Sequence, residues 1–193
     1  MVETQRLPGE GWLVNRTRMK IATRPEEQID YDAIYEVNLL AFGGESEARL
    51  VEELRGSTDF VKKLSLVAVR YTKVVGHLLF SPIAIKARTV AFSALALAPM
   101  AVHPEFQRQG IGSELLREGL DCCRILGHRV VVVVGHPNYY PRFGFISAKA
   151  RGLEVPFAVP DKAFMALELT AGALDGISGM VTYPPAFEEV VRK

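Results

Sequence analysis

The chain has 193 residues, of which 49% are hydrophobic and 23% are charged, so it is long enough to form one domain with a substantial core. Its 23 lysine and arginine residues nearly balance its 22 aspartate and glutamate residues. This balance argues against broad electrostatic binding to nucleic acid or to an anionic membrane. Residues 90–102 form the longest nearly apolar stretch, which is too short to cross a bilayer, and residues 1–20 lack the apolar core of a signal peptide. We therefore expect a cytoplasmic protein.

The two cysteines, Cys122 and Cys123, are adjacent within a helical pattern. Neighbouring positions on a helix do not face each other, so we expect no disulfide between them. No group of cysteine and histidine residues has the spacing of metal ligands. The sequence therefore predicts free thiols in a reducing compartment and no metal site.

The N-terminal region divides into an arm and the start of a domain. Residues 1–17 contain proline, glycine and scattered charge, which predicts a loose arm. No later composition shift marks a second boundary, so we expect a single domain over residues 18–193. Residues 19–23 are expected to form its first strand.

Two helices are predicted next. Residues 24–27, Arg-Pro-Glu-Glu, resemble a helix start because proline and acidic residues are favoured in a first turn. Apolar residues follow at helical spacing until Gly43, and a second helical pattern begins at Ser46 and ends at Gly56.

Three strand patterns follow. Residues 64–71 and 74–85 are rich in β-branched and apolar residues around a short turn, which predicts a hairpin. The next strand lies within residues 87–102 and contains Pro99. Proline cannot donate to a sheet ladder, so Pro99 implies either an edge strand or a β-bulge. A bulge is the favoured interpretation, because bulges are often found beside active sites.

A strand–helix–strand unit completes the centre of the sequence. Residues 111–126 have apolar side chains at helical spacing, and Gly127 ends the pattern. The run of valines within residues 129–134 predicts a strand buried on both faces and parallel to the strand before the helix. Two further strands are expected at residues 163–169 and 180–183.

The loop between that strand and helix is rich in glycine and predicts an anion site. Gly110 and Gly112 allow close approach of a ligand to the backbone, and the first N–H groups of a helix bind phosphate well. A dinucleotide fingerprint would need glycine or alanine where Leu115 stands, and a P-loop would need Gly-Lys-Ser or Gly-Lys-Thr. A glycine-rich connection without any ligand is the remaining alternative.

Two motifs resemble those of the GNAT superfamily of N-acetyltransferases. Residues 107–112, Gln-Arg-Gln-Gly-Ile-Gly, match the signature Gln/Arg-x-x-Gly-x-Gly/Ala between a long strand and an amphipathic helix. Residues 140–145, Tyr-Pro-Arg-Phe-Gly-Phe, resemble the motif Tyr-x-x-x-Gly-Phe after the following strand. The resemblance implies an α/β fold with a mixed, mostly antiparallel sheet that is splayed at its centre and flanked by helices.

The resemblance also implies that acetyl-CoA binds where two parallel strands splay apart. Backbone N–H groups of residues 108–113 would hold the pyrophosphate, and residues 100–102 would pair with the pantetheine arm. An N–H group beside Pro99 would polarise the thioester carbonyl. The residues expected to bind the donor are Met100, Ala101, Val102, Gln107, Arg108, Gln109, Gly110, Ile111, Gly112 and Ser113. For the Arg108 side chain, a phosphate contact and simple solvation are equally open.

Tyr140 takes the family position of the general acid that protonates the departing thiolate. The alternative is that Tyr140 only packs, and packing is the favoured interpretation for Tyr139. The general base is not identified, since water is one alternative and several side chains qualify by type. These are Glu45, Glu47, Glu105, His103 and His136, of which His103 is expected to be structural.

The sequence thus predicts acetyl transfer from acetyl-CoA to a primary amine by direct attack in a ternary complex. The acceptor is a small molecule or a protein amine, and a homodimer is possible. The cysteine pair lies within a helix, so a covalent acetyl-cysteine is not expected. Two alternatives remain: a CoA-binding or regulatory module without turnover, and a transferase for a longer acyl group.

Overall fold

The computed structural model describes residues 21–191, so the arm predicted at residues 1–17 and the domain boundary after it lie outside the described residues. The helices are α1 (Tyr31–Phe42), α2 (Ser46–Arg55), α3 (Ile111–Ile125) and α4 (Glu188–Val191). The strands are β1 (Ile21–Pro25), β2 (Ser65–Arg70), β3 (Lys73–Lys86), β4 (Ala91–Val102), β5 (Val130–Val134), β6 (Ile146–Ser147), β7 (Leu153–Glu154), β8 (Phe164–Glu168) and β9 (Gly179–Thr182). Within residues 21–191, no helix is both long enough and apolar enough to cross a membrane.

The described strands form one sheet in the order β1-β2-β3-β4-β5-β8-β6, and β9 lies between the second half of β3 and the short β7. Only β4–β5 and β7–β9 among these pairs are parallel. The β4–β5 pair is joined through α3, as expected for the strand–helix–strand unit.

Helices cover both faces of the sheet and create two core clusters. Residues of α1 and α2 pack in one cluster, and residues of α3 pack in the other. In β5, Val130 and Val132 belong to the first cluster, whereas Val131 and Val133 belong to the second. This alternation confirms the prediction that the valine run is buried on both faces.

The helix start predicted at residues 24–27 was wrong. Arg24 and Pro25 belong to β1, and α1 begins only at Tyr31. The carboxylate of Asp30 forms a bidentate ion pair with the Arg24 guanidinium, at 2.6 and 2.9 Å, and also accepts from the Glu27 N–H. Glu27 and Asp30 form a capping box around a 3-10 turn at Gln28–Asp30, which leads directly into α1. The helical segment therefore begins after residues 24–27, not within them.

Candidate active site

The site originates where β4 and β5 separate. Their parallel pairing runs through Leu95 and Ala96 of β4. Directly after this point Leu79 of β3 faces two residues of β4, Ala98 and Pro99, because the register shifts there. This confirms the predicted bulge at Pro99. Since a bulge bends the strand that carries it, β4 leaves β5 and continues along β3 alone.

A cleft of about 1050 Å³ opens at this separation. One side is formed by the start of α3 and the segment that follows β5, and the other side by α1, α2, α4 and the segment before β8. Because α3 and α1 cover opposite faces of the sheet, the cleft connects the two faces through the gap between β4 and β5. Such a passage allows two different molecules to meet from opposite sides.

The start of α3 forms a backbone cradle in this cleft. Gly110 precedes the helix with φ 90°, and Arg108 also has a positive φ of 60°. Glycine tolerates this left-handed conformation without strain and brings no capping side chain. The first N–H groups of α3 therefore line the cleft outside the ladder of the helix, and the helix dipole makes them suitable for an anion.

Two glutamines brace the cradle. The Gln107 side chain donates to the Val102 carbonyl at 3.0 Å, and the Gln109 side chain donates to the Glu105 carbonyl at 3.1 Å. Both bonds connect the loop to its own preceding segment. They fix the loop conformation.

Tyr139 lies at the edge of the cradle. Its hydroxyl oxygen is 3.4 Å from the Ser113 Oγ, and a Cβ atom built on Gly112 would lie 3.1 Å from the same oxygen. The Arg142 guanidinium stacks 4.5 Å from the centre of the Tyr139 ring. Tyr139 packs as expected, and in addition it places a polar group at the start of α3.

Tyr140 is buried at the end of β5. Its ring makes edge contacts with Tyr139 and Phe145, at 5.2 and 5.6 Å between ring centres. It also lies against the backbone of Gly135, where a Cβ atom would come within 2.3 Å of Cε2. Burial, with a smaller contribution from Tyr139, raises the pKa of Tyr140 above its ordinary value. The phenol therefore keeps its proton at neutral pH.

Of the five side chains considered as bases, only Glu47 and His136 line the cleft. Glu45 forms an ion pair of 2.5 Å with an arginine one turn further along α2, on the exposed surface. His103 is buried and accepts from the Glu105 N–H through Nδ1 at 3.3 Å, in agreement with its structural interpretation. Glu105 is exposed outside the cleft.

Neither cysteine lines the cleft. Burial raises the pKa of the Cys123 thiol to about 12, and burial with nearby carboxylates raises the pKa of Cys122. Because the thiolate is the nucleophilic form, the cysteines offer no nucleophile for an acyl group. In the described part of the chain, no cluster of histidine, cysteine and acidic residues has a geometry that would hold a metal ion.

The structure brings the predicted site residues together, with one difference in detail. Tyr140 and every residue expected to bind the donor except Gln109 line the same cleft. These donor-side residues are Met100, Ala101, Val102, Gln107, Arg108, Gly110, Ile111, Gly112 and Ser113. The Gln109 side chain braces the loop instead.

A sequence model of the acetyltransferase (GNAT) domain matches residues 22–148, which is well over half of the chain. The chain belongs to the GNAT acetyltransferase family. Among its relatives in Escherichia coli K12, the N-acetyltransferase YjhQ is 38% identical over 149 residues, covering 75% of this chain and 82% of YjhQ. The N-acetyltransferase YhbS is 33% identical over 165 residues, covering 85% of this chain and 96% of YhbS.

Solved GNAT structures share the fold. The structure of Escherichia coli YhbS in complex with CoA superposes with a TM-score of 0.81, at 31% identity, covering 88% of this chain and 92% of YhbS. A GNAT acetyltransferase of Brucella melitensis in complex with acetyl-CoA superposes with a TM-score of 0.72, at 31% identity, covering 88% of this chain and 99% of the Brucella melitensis chain. The predicted family, the GNAT-type mixed sheet and the acyltransferase class are thereby confirmed.

Some residues of the GNAT cleft were not found from the sequence. The cleft is also lined by Phe42, Val159 and Val190. In the sequence these residues look like ordinary apolar positions of two helices and a loop. Gly135 lies under the Tyr140 ring. Its position in the sequence was a weak indication of this contact, because a glycine directly after a buried strand indicates close approach of another group.

Proposed function

We propose that this GNAT enzyme transfers the acetyl group of acetyl-CoA to a primary amine by direct attack while both substrates are bound. The observation that supports this best is the cleft that joins the start of α3 to the α1 and α2 side through the gap between β4 and β5. A donor at α3 and an acceptor from the opposite face would meet in this gap, beside Tyr140. No covalent enzyme intermediate is needed for such an encounter.

The donor side fits the pyrophosphate and pantetheine parts of acetyl-CoA. The N–H groups at the start of α3 suit the pyrophosphate, and Gly112 keeps the backbone accessible. Beyond Ala96, the side of β4 that faces the gap offers backbone groups to an extended pantetheine arm, as a sheet edge does to an added strand. The CoA and acetyl-CoA complexes of the two relatives that are 31% identical support acetyl-CoA as the donor.

Two groups of the chain would assist the reaction. A backbone N–H beside the bulge at Pro99 would stabilise negative charge on the thioester oxygen. Tyr140 would donate its phenolic proton to the sulfur of the departing CoA, and burial holds that proton on the phenol at neutral pH.

The role of Tyr140 can be tested by Tyr140→Phe. The variant should lower kcat by about 10²- to 10⁴-fold while the KM for acetyl-CoA stays nearly unchanged, because the ring still packs against Phe145. Tyr183→Phe is the matched control, since Tyr183 is also largely buried, with a raised pKa, but does not line the cleft. A kcat of wild-type size in Tyr140→Phe would remove Tyr140 from the mechanism.

The order of events can be tested by initial velocities measured over both substrates with an amine library. Direct attack in a ternary complex predicts double-reciprocal lines that intersect, whereas parallel lines would indicate an acyl-enzyme. Comparison of acetyl-CoA with longer acyl-CoA donors tests donor choice in the same assay. Binding of acetyl-CoA without thiol release for any amine would instead favour a non-catalytic CoA-binding module.

A further inference from the structure

The acceptor half of the cleft has a mainly apolar wall. On the side of α1, α2 and α4 it is lined by Ala41, Phe42, Leu50, Val159, Ala163 and Val190. The cationic side chains of the cleft, Arg108 and Arg142, belong to the donor half. Arg108 precedes α3, and Arg142 stacks on Tyr139 beside the start of α3. Among the described residues that line the apolar wall, there is no arginine or lysine.

Phe42 is the most informative residue of this wall. It is the last residue of α1, and 44% of it is exposed even though it lines the cleft. An aromatic ring in this position gains burial when an apolar group binds against it. Leu40, on the same helix, is 43% exposed but does not line the cleft. Substitutions at the two positions therefore distinguish the effect of lining the cleft from the effect of changing an exposed apolar residue.

Glu47 is the one carboxylate among the described residues that line the cleft. It lies in the first turn of α2 and is half-buried. A carboxylate beside apolar side chains attracts an ammonium group strongly and disfavours a second carboxylate. The cleft thus combines one anionic group with an apolar wall.

We infer that the acceptor is a small primary amine carried on an uncharged apolar body, of the alkylamine or arylalkylamine class. Its ammonium group approaches Glu47 and its body packs against Phe42. This inference rests on the proposed acetyl transfer, since it identifies the substrate class of the same site. It excludes amines that carry a carboxylate close to the nitrogen and polyamines with a second charge, because the apolar wall would have to bury that charge.

The wild-type enzyme provides the first test. With acetyl-CoA fixed, kcat/KM is compared for phenethylamine and hexylamine, for phenylalanine as the carboxylate-bearing counterpart of phenethylamine, and for spermidine. The apolar amines should be preferred by about tenfold or more. Equal or higher kcat/KM for phenylalanine or spermidine would overturn the inference and leave the proposed function intact. A lack of thiol release with every amine tested would contradict the proposed function itself.

Charge recognition is tested by Glu47→Gln. The KM for phenethylamine should rise about tenfold or more, because the ammonium group loses its anionic partner, while the KM for acetyl-CoA should not change. Glu53→Gln is the control, since Glu53 lies on the exposed side of the same helix and outside the cleft. An unchanged amine KM in Glu47→Gln would show that Glu47 does not recognise the acceptor.

The apolar wall is tested by Phe42→Ser with Leu40→Ser as its equally exposed partner. Phe42→Ser should lower kcat/KM for phenethylamine about tenfold and that for methylamine much less, because only the larger body reaches the ring. Leu40→Ser should change neither value. The same loss for both amines in Phe42→Ser would overturn the assignment. Because Phe42 is exposed, Phe42→Ser should still fold. It therefore tests the proposed acceptor class even if Glu47→Gln does not fold.

Discussion

At the residue scale, two glycines determine how closely the tyrosines approach the backbone of the site. A Cβ atom on Gly112 would lie 3.1 Å from the Tyr139 hydroxyl oxygen, and one on Gly135 would lie 2.3 Å from the Tyr140 ring. Such distances are closer than carbon atoms normally pack. Gly112 therefore leaves room for the Tyr139 hydroxyl at the cradle, and Gly135 leaves room for the buried Tyr140 ring after β5.

Gly112→Trp should abolish measurable acetyl-CoA binding. The indole ring would displace Tyr139 and cover the N–H groups at the start of α3, so we expect the Kd to rise by at least about 100-fold. Calorimetric titration with acetyl-CoA measures this. Gly56→Trp serves as a control, because Gly56 is exposed at the end of α2. Wild-type affinity in Gly112→Trp would place the donor elsewhere.

At the element scale, α3 lies unusually close to the sheet through small residues. A Cβ atom on Gly119 would lie 2.6 Å from Phe80 Cε2 and 2.7 Å from Leu78 Cδ2. On the facing strand, a Cβ atom on Gly76 would lie 2.9 Å from Leu115 Cδ1. The two glycines let the helix and β3 approach each other, and this contact supports the position of the α3 start at the cleft.

Gly119→Ala should destabilise the protein although alanine is the better helix former. Overpacking against Phe80 and Leu78 costs about 1–3 kcal/mol, whereas the gain in helix propensity is about 0.5–1 kcal/mol. We expect a net loss of roughly 1–2 kcal/mol in the free energy of unfolding, measured by denaturant titration. Gly56→Ala meets only ordinary contacts, the nearest at 3.6 Å, and should stay within about 0.5 kcal/mol. A stabilised Gly119→Ala would contradict the close packing.

At the scale of the whole molecule, a buried polar network ties the α1 and α2 face to the sheet. Ser65 donates to Glu26 at 2.6 Å and lies 3.0 Å from Nε2 of His77. Asn38 of α1 lies 3.2 Å from Nδ1 of His77, and Arg55 of α2 donates to Glu26 at 2.7 Å. Since the Asn38 amide and the Ser65 hydroxyl satisfy the two ring nitrogens, the geometry fits a neutral imidazole that donates from Nε2.

The network holds both titratable groups in fixed protonation states. Burial alone would raise the pKa of Glu26, but its neighbours His77, Arg55 and Ser65 outweigh burial and hold the pKa at about 2, below the ordinary 4.5. Burial lowers the pKa of His77 below 6.5, against the opposing influence of Glu26. In both cases the unfolded chain binds a proton more readily than the folded chain.

Stability should therefore fall on acidification. Below about pH 6.5 the unfolded chain gains a proton at His77, and below about pH 4.5 it gains another at Glu26, so each step favours unfolding. The thermal midpoint should be constant between about pH 7 and pH 8 and should decrease towards pH 4. Glu26→Gln should lower the midpoint at neutral pH and weaken its decrease below about pH 4.5. A midpoint independent of pH between about 7 and 4 would contradict the role of the network.

The sequence alone predicted most of the elements and most of the residues that line the cleft at the start of α3. Helical periodicity identified α1, α2 and α3, and the valine run identified β5 as a strand buried on both faces. Pro99 indicated the bulge, and the glycines near residue 110 indicated the cradle. These features are local, because they depend on the spacing of residues that are neighbours in the chain.

The tertiary structure alone decided what depends on distant residues. Glu26 was interpreted as part of a helix start, yet it pairs with Arg55 and Ser65, which are 29 and 39 residues away in the chain. Likewise, Glu45 and Glu47 are indistinguishable by type, and only the packing of α2 beside β4 places Glu47 in the cleft. The cleft wall at the start of α3 lies within one strand–loop–helix segment and its short continuation, so its chemistry is visible in the sequence. The opposite wall is assembled from α1, α2, α4 and a loop far apart in the chain, and its character emerges only when folding brings them together.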